Sequence, residues 1–213
     1  MKTFISFKSL FVSFEGIDGC GKSTQVKLLM KKLYQHQIKS ILVREPGGSK
    51  IAENIRSILL DNKNDDMSSE TEALLMTASR AQLTREVILP KLESGYVVIA
   101  DRFQDSTIAY QGGGRGLDVS FLRNLNLFAT KKLNPDLTFY IDVTPEEGFR
   151  RANKKKFDRI ENAGKHFQSK VRSEYLKLVE KEPKRVILVD GNETKEEIHS
   201  IIWNKILNQN IEN

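Results

Sequence analysis

Cysteine is almost missing from this chain. Cys20 is the only one in 213 residues. No disulfide can close within the chain, and a reducing, cytoplasmic setting is expected. No apolar run approaches the ~20 residues that cross a bilayer. The opening Met1 to Phe11 carries two lysines among scattered apolar residues, without the continuous apolar stretch of a secretory signal. A membrane partner is therefore not expected. Repeats, low-complexity tracts and linkers are also absent, so residues 1–213 read as a single domain. Hydrophobic residues make up 39% and charged residues 29%, which excludes a disordered chain. The formal charge of +6 fits either a nucleic-acid surface or a small-molecule site that holds several phosphates. Its basic residues are spread out, apart from Lys154-Lys155-Lys156, which favours the second reading and gives no expectation of nucleic acid.

The densest motif present is Phe14-Glu15-Gly16-Ile17-Asp18-Gly19-Cys20-Gly21-Lys22-Ser23-Thr24. It fits G-x-x-x-x-G-K-[ST], the phosphate-binding loop. Phosphate oxygens need many donors at close range. Glycines let the backbone curl and aim its N–H groups inward, and the next helix adds positive charge at its start. Lys22 would reach the β/γ-phosphates, and the Ser23 hydroxyl would ligate Mg²⁺. The expected ATP contacts are Gly16, Ile17, Asp18, Gly19, Cys20, Gly21, Lys22, Ser23 and Thr24. The Cys20 thiol admits two readings. Neighbouring N–H donors favour a reactive thiolate, while a small side chain that simply fits is the commoner case.

Apolar runs alternate with helical patterns along the chain. Strands are expected near Leu10–Glu15, Ser40–Arg44, Tyr96–Ala100, Leu137–Asp142 and Val186–Asp190. Helices are expected near Ser23–Gln35, Lys50–Leu60, Ser69–Leu92, Ser120–Lys132, Pro145–Lys155, Phe167–Lys181 and Lys195–Leu207. This order predicts an α/β fold, a five-stranded parallel sheet flanked by helices on both faces. Ligands then lie beyond the carboxyl ends of the strands, where Arg44-Glu45, Asp101-Arg102, Asp142 and Asp190 fall. Asn62-Lys63-Asn64-Asp65 matches a guanine-reading motif, but it comes too early and no D-x-x-G stands between it and Lys22. It reads as a chance match in a polar loop.

A kinase acting on a phosphorylated acceptor needs a second anion site. Arg44-Glu45-Pro46-Gly47-Gly48-Ser49 predicts a turn, with Ser49 as a helix cap. Asp101 could hold Mg²⁺ and Arg102 could clamp an acceptor phosphate; a surface ion pair is the plainer reading. Met76, Arg80 and Leu83 share a helix face, where Arg80 needs either a base carbonyl or a carboxylate partner. Ser106 and Tyr110 would share a face if their segment were helical, and their hydroxyls suit a sugar and base. Gly112-Gly113-Gly114 predicts a sharp turn. Residues 145–161 are rich in arginine, including Arg150, Arg151 and Arg159. They read as a solvated basic face or as a lid that brings charge over the phosphates.

Together these motifs resemble thymidylate kinase, a phosphate-loop nucleoside-monophosphate kinase family, in its bacterial form. The resemblance runs roughly from Phe11 to Trp203. It rests on the phosphate loop through Gln25, Arg44-Glu45-Pro46-Gly47-Gly48, Ala78-Ser79-Arg80, Asp101-Arg102-Phe103 with Ser106 to Gln111, and Asp158-Arg159-Ile160-Glu161. It implies transfer of the ATP γ-phosphate to dTMP, giving dTDP for dTTP synthesis, with Mg²⁺ and a homodimer. It implies that Asp18 contacts the acceptor sugar or orders the loop, and that Arg102 holds the acceptor phosphate with Asp101 near Mg²⁺. Arg80 and Thr107 would meet thymine, and Tyr110, with Ser106 and Gln111, the deoxyribose. Some members carry a catalytic arginine within the phosphate loop. That position here is Gly19, so the lid would supply it, Arg151 first and Arg150 next, both near ATP. Met76 stands where the family commonly stacks a phenylalanine on thymine, and its polarizable thioether can cover a ring face. A kinase for another small acceptor and a nucleotide-dependent switch are the alternatives. A switch would need a sensor element after the loop, and the chain beyond Lys22 has neither D-x-x-G nor Leu-Ser-Gly-Gly.

Overall fold

A computed structural model describes residues 8–152 and 158–212. The extra amino-terminal residues, the Lys154-Lys155-Lys156 run and part of the expected lid lie outside the described residues. Five strands form one parallel sheet: β1 (Leu10–Glu15), β2 (Ser40–Arg44), β3 (Val97–Asp101), β4 (Leu137–Asp142) and β5 (Val186–Asp190), in the order β2-β3-β1-β4-β5. The strand pattern reflects position. β1, β3 and β4 are buried nearly throughout and read as continuous apolar runs, whereas the edge strands β2 and β5 are half exposed. Alternate side chains of β1 serve two cores. Leu10, Val12 and Phe14 join the larger one, while Phe11 joins Val98, Ala100 and Phe103 on the opposite face.

The register brings the charged strand ends to one rim. Phe14 and Arg44 both lie opposite Asp101, Glu15 opposite Tyr140, and Asp142 opposite Asp190. The sheet order reverses around β1, the place where an open α/β sheet leaves a crevice. The helices α1 (Lys22–Gln35), α2 (Lys50–Leu60) and α3 (Ser69–Leu83) follow the expected pattern. The expected long helix past Leu83 continues as a π-helical turn over Thr84–Ile88 and then α4 (Leu89–Glu93). Ser49 does occupy the cap position of α2, but its hydroxyl caps nothing. Glu53 instead accepts the Gly48 N–H at 2.6 Å from within the first turn.

One expectation is overturned. Gly112–Gly114 do not make a sharp turn. Residues Gln104–Thr107 form α5, and Ile108–Gly114 continue it as a π-helical stretch. The chain turns only afterwards, at Gly116, where the backbone takes a positive φ that glycine adopts freely. The glycines serve packing. Gly112 lies against Val119 and Leu122 of α6 (Val119–Thr130), and Gly113 and Gly114 lie against α8 (Gly164–Lys181), which follows α7 (Pro145–Ala152), with α9 (Lys195–Glu212) last. A Cβ at Gly113 would meet Glu174 Cβ at 2.6 Å, and Gly114 faces the Phe167 ring. Replacing Gly113 by Ala adds a methyl group with no strain in φ, so its effect is steric alone. It should cost about 2 kcal/mol of stability, checked by urea unfolding.

Candidate active site

The phosphate loop runs from the end of β1 into α1. Gly16, Gly19 and Gly21 all have positive φ, so the curl expected of them is present. Gly21 caps α1 with its backbone in place of a side chain. The ammonium of Lys22 is buried and donates to the carbonyls of Gly16 at 2.8 Å and Ile17 at 3.0 Å. Asp18 lies 3.9 Å from it. Cys20 is buried, with Sγ 3.7 Å from the same nitrogen.

Arg102 follows β3 with a positive φ, unusual for a residue with a side chain. Its N–H donates to Phe14 O at 3.0 Å, so the residue is tied to the strand that carries the phosphate loop. Its guanidinium donates to Asp18 Oδ1 at 2.9 Å and lies 5.0 Å from the centre of the Tyr110 ring. The phosphate loop and Arg102 are therefore in direct contact. One cavity of about 670 Å³ is lined by Lys22, Ser23, Arg102, Ser106, Thr107 and Tyr110 together, and by Asp101, Met76, Gln111 and Arg151.

Glu15 sits beneath this contact, fully buried. It accepts from the hydroxyls of Ser13 at 3.0 Å, Ser106 at 2.6 Å and Tyr175 at 2.7 Å, and from Phe103 N–H at 2.7 Å. Burial pushes its carboxyl above the usual range, and Asp105 adds to that, while the bonds from Ser106 and Tyr175 pull the other way. Arg80 is buried on α3. Its partners are Glu45 (2.8 and 2.7 Å), Thr107 (2.7 Å), Asn126 (2.7 Å) and Phe103 O (3.1 Å). These contacts engage all its N–H groups. Of the two partners expected for it, the structure supplies the carboxylate, and a base carbonyl would have to share or displace one. Burial pushes Glu45 up to about 7 against the pull of Arg80.

A family model described as thymidylate kinase matches residues 14–202. The chain belongs to the thymidylate kinase family. The thymidylate kinase of Thermoanaerobacter sp. (strain X514) is 47% identical over 195 residues, covering 92% of this chain and 96% of its own. That of Caldanaerobacter subterraneus subsp. tengcongensis is 49% identical over 192 residues, covering 90% and 92%. That of Fervidobacterium nodosum is 50% identical over 190 residues, covering 89% and 94%.

In this thymidylate kinase family chain Arg150 and Arg151, the two arginines expected to serve as lid residues, part ways. Arg151 lines the cavity, donating to Gly191 O at 2.6 Å and to Glu147, while Arg150 pairs with Glu147 on the exposed side. The two arginines hold the Glu147 carboxyl down at about 2. Arg159 was expected near the lid; it is buried against Glu72 at 2.7 Å. Glu72 also takes Arg115 at 2.9 Å and Gln111 at 2.8 Å. Gln111 is thus held by a carboxylate that sequence reasoning passed over, although Glu72 stands four residues before Met76 on the same helix face. Arg56 was missed as well. It lines the cavity beside Arg44 and Arg102 and donates to Pro46 O at 2.8 Å. Burial first, then Arg44, depress its hold on a proton, a clustering of cations that an anion would relieve.

Removing the charge of Glu15 tests the base of this site. Glu15→Gln would turn an amide group toward buried donors, and the expected loss is about 2 kcal/mol, read by urea unfolding.

Proposed function

We propose that this protein transfers the γ-phosphate of ATP to dTMP, giving dTDP, as an ATP-dependent dTMP kinase. One observation carries this reading: Arg102 donates to Asp18 at 2.9 Å, so two pockets for negative charge share one boundary. Family membership supports the chemistry, and the cavity is of a size that suits two nucleotide ends meeting.

The donor phosphates lie along Gly16–Thr24, with Ile17 and Cys20 turning the loop. Lys22 exchanges its carbonyl partners for phosphate oxygens. Arg102, with Arg56 and Arg44 nearby, holds the acceptor phosphate. Asp18 fixes the spacing between the two groups. Met76 covers the base, Arg80 keeps Thr107 in place beside it, and Ser106, Tyr110 and Gln111 bound the sugar. Arg151 supplies positive charge where it develops in transfer, and Arg150 stands behind it on the exposed face. These roles amount to positioning and charge stabilisation, which is most of what phosphoryl transfer asks of a protein.

The donor set fits Mg²⁺ arriving with the nucleotide. Among the described residues no group of three or more acidic, His or Cys side chains would hold a metal alone. The Ser23 hydroxyl and the Asp101 carboxylate line the cavity, and these hard oxygen donors leave the remaining positions to phosphates and water. Ser23 and Asp101 would hold such an ion, which would supply charge neutralisation to the phosphates.

A homodimer is supported by the outer surface of α2, α3 and α6. These helices pack side by side and leave Ile51, Ile58, Leu74, Phe121 and Phe128 exposed, large apolar side chains that a second copy would cover. The lone cysteine supports a cytoplasmic setting. No helix among the described residues is long and apolar enough to cross a membrane.

Coupled ADP release with a panel of monophosphates tests the function. Release with dTMP, weaker release with dUMP and none without acceptor is the expected pattern. Equal release without any acceptor would sink the kinase reading in favour of a nucleotide switch. Lys22→Ala is the second check. Turnover should fall by about 100-fold or more, with the circular dichroism spectrum unchanged.

A further inference from the structure

Two glycines from distant parts of the chain are pressed together. Gly148 lies within α7, and the phosphate loop passes against it. A Cβ on Gly148 would sit 2.7 Å from the Asp18 carbonyl oxygen and 2.9 Å from Ile17 Cδ1. From the opposite side, a Cβ on Gly19 would fall inside the Gly148 carbonyl group and lie 3.1 Å from Ala152 N. Close-packed interiors do not admit such separations, so the helix approaches the loop this nearly only because both residues lack a side chain. At Gly19, the positive φ adds a second reason.

The contact matters because of the arginine just beyond it. Arg151 comes three residues after Gly148, on the same short helix, and reaches Gly191 O and Asn192 Oδ1 at the cavity edge. A helix of eight residues has little length over which to absorb a shift. A methyl group at 148 must displace either the helix or the loop, and the displacement passes to the guanidinium.

We propose that Gly148 is a positioning residue for phosphoryl transfer. Its seat on Gly19 docks α7 against the phosphate loop and fixes where Arg151 meets the donor phosphates. This rests on the assignment of Arg151 to those phosphates under the proposed function. The same seat bars any side chain at position 19, so no cation can reach the phosphates from that position of the loop.

A double-mutant cycle tests it, using the full chain with ATP and dTMP. Gly148→Ala should lower kcat about 10- to 100-fold, the scale of a misplacement near ~1 Å, with KM for dTMP unchanged. Arg151→Ala should lower kcat more than it raises KM for ATP. The double variant should be no slower than Arg151→Ala alone, to within about twofold, because the glycine acts only through the arginine. Calorimetric binding of dTMP reports whether each variant is folded. If Gly148→Ala loses that binding, the glycine is needed for the fold of the acceptor side as a whole, and the positioning role is overturned. Multiplicative losses in the double variant, or wild-type kcat in a folded variant carrying Gly148→Ala, would overturn the dock. Wild-type kcat in Arg151→Ala would instead remove the assignment on which the dock depends, and the dock with it.

Discussion

A single buried carboxylate holds the catalytic end of this molecule together. Glu15 closes β1 and reaches across to the backbone after β3, to a hydroxyl on α5 and to a phenol on α8. Burying a carboxyl group is costly unless its oxygens are satisfied, and here four donors converge on them. The donors come from segments far apart in the chain, so meeting them fixes those segments relative to the loop that starts one residue later. The contact between Arg102 and Asp18 is a consequence. Arg102 immediately precedes Phe103, whose N–H bonds to Glu15, and Asp18 follows Glu15 by three residues in the loop. The left-handed backbone of Arg102 persists because its surroundings hold it there.

Much of this could be read from the chain alone, for a definite reason. The strands have continuous apolar runs, and the phosphate loop has fixed spacing; both are local patterns with a direct physical cause. The rim of charged strand ends followed from parallel alternation. What could not be read are partnerships between distant residues. Glu72 carries no local sign that Arg115, Arg159 and Gln111 will all come to it. Arg80 was open between a base and a carboxylate, and only folding brings Glu45 beside it. The glycines at 112–114 show the limit of local reasoning in another way. Glycine marks a turn when the backbone needs it, and here a neighbouring helix needs it instead.

The arginines divide by what they face. Those that meet carboxylates deep in the structure, Arg80, Arg159 and Arg185, join elements and are balanced there. Arg56 and Arg102 line the cavity within one another's field, with Arg44 close by and tied to Glu53. The net charge of +6 is therefore less a property of the whole surface than of how a few cations are shared out.

The packing of Gly113 and Gly114 against α8 has a mechanical meaning. The segment that carries Ser106 and Tyr110 cannot slide along α8, since its flat side has nothing to ride over except backbone and ring atoms. These two pieces form one jaw, braced on the sheet through Tyr175. The same jaw is tied to α3 as well, Thr107 to Arg80 at 2.7 Å and Gln111 to Glu72 at 2.8 Å, so this wall of the cavity is held from two sides.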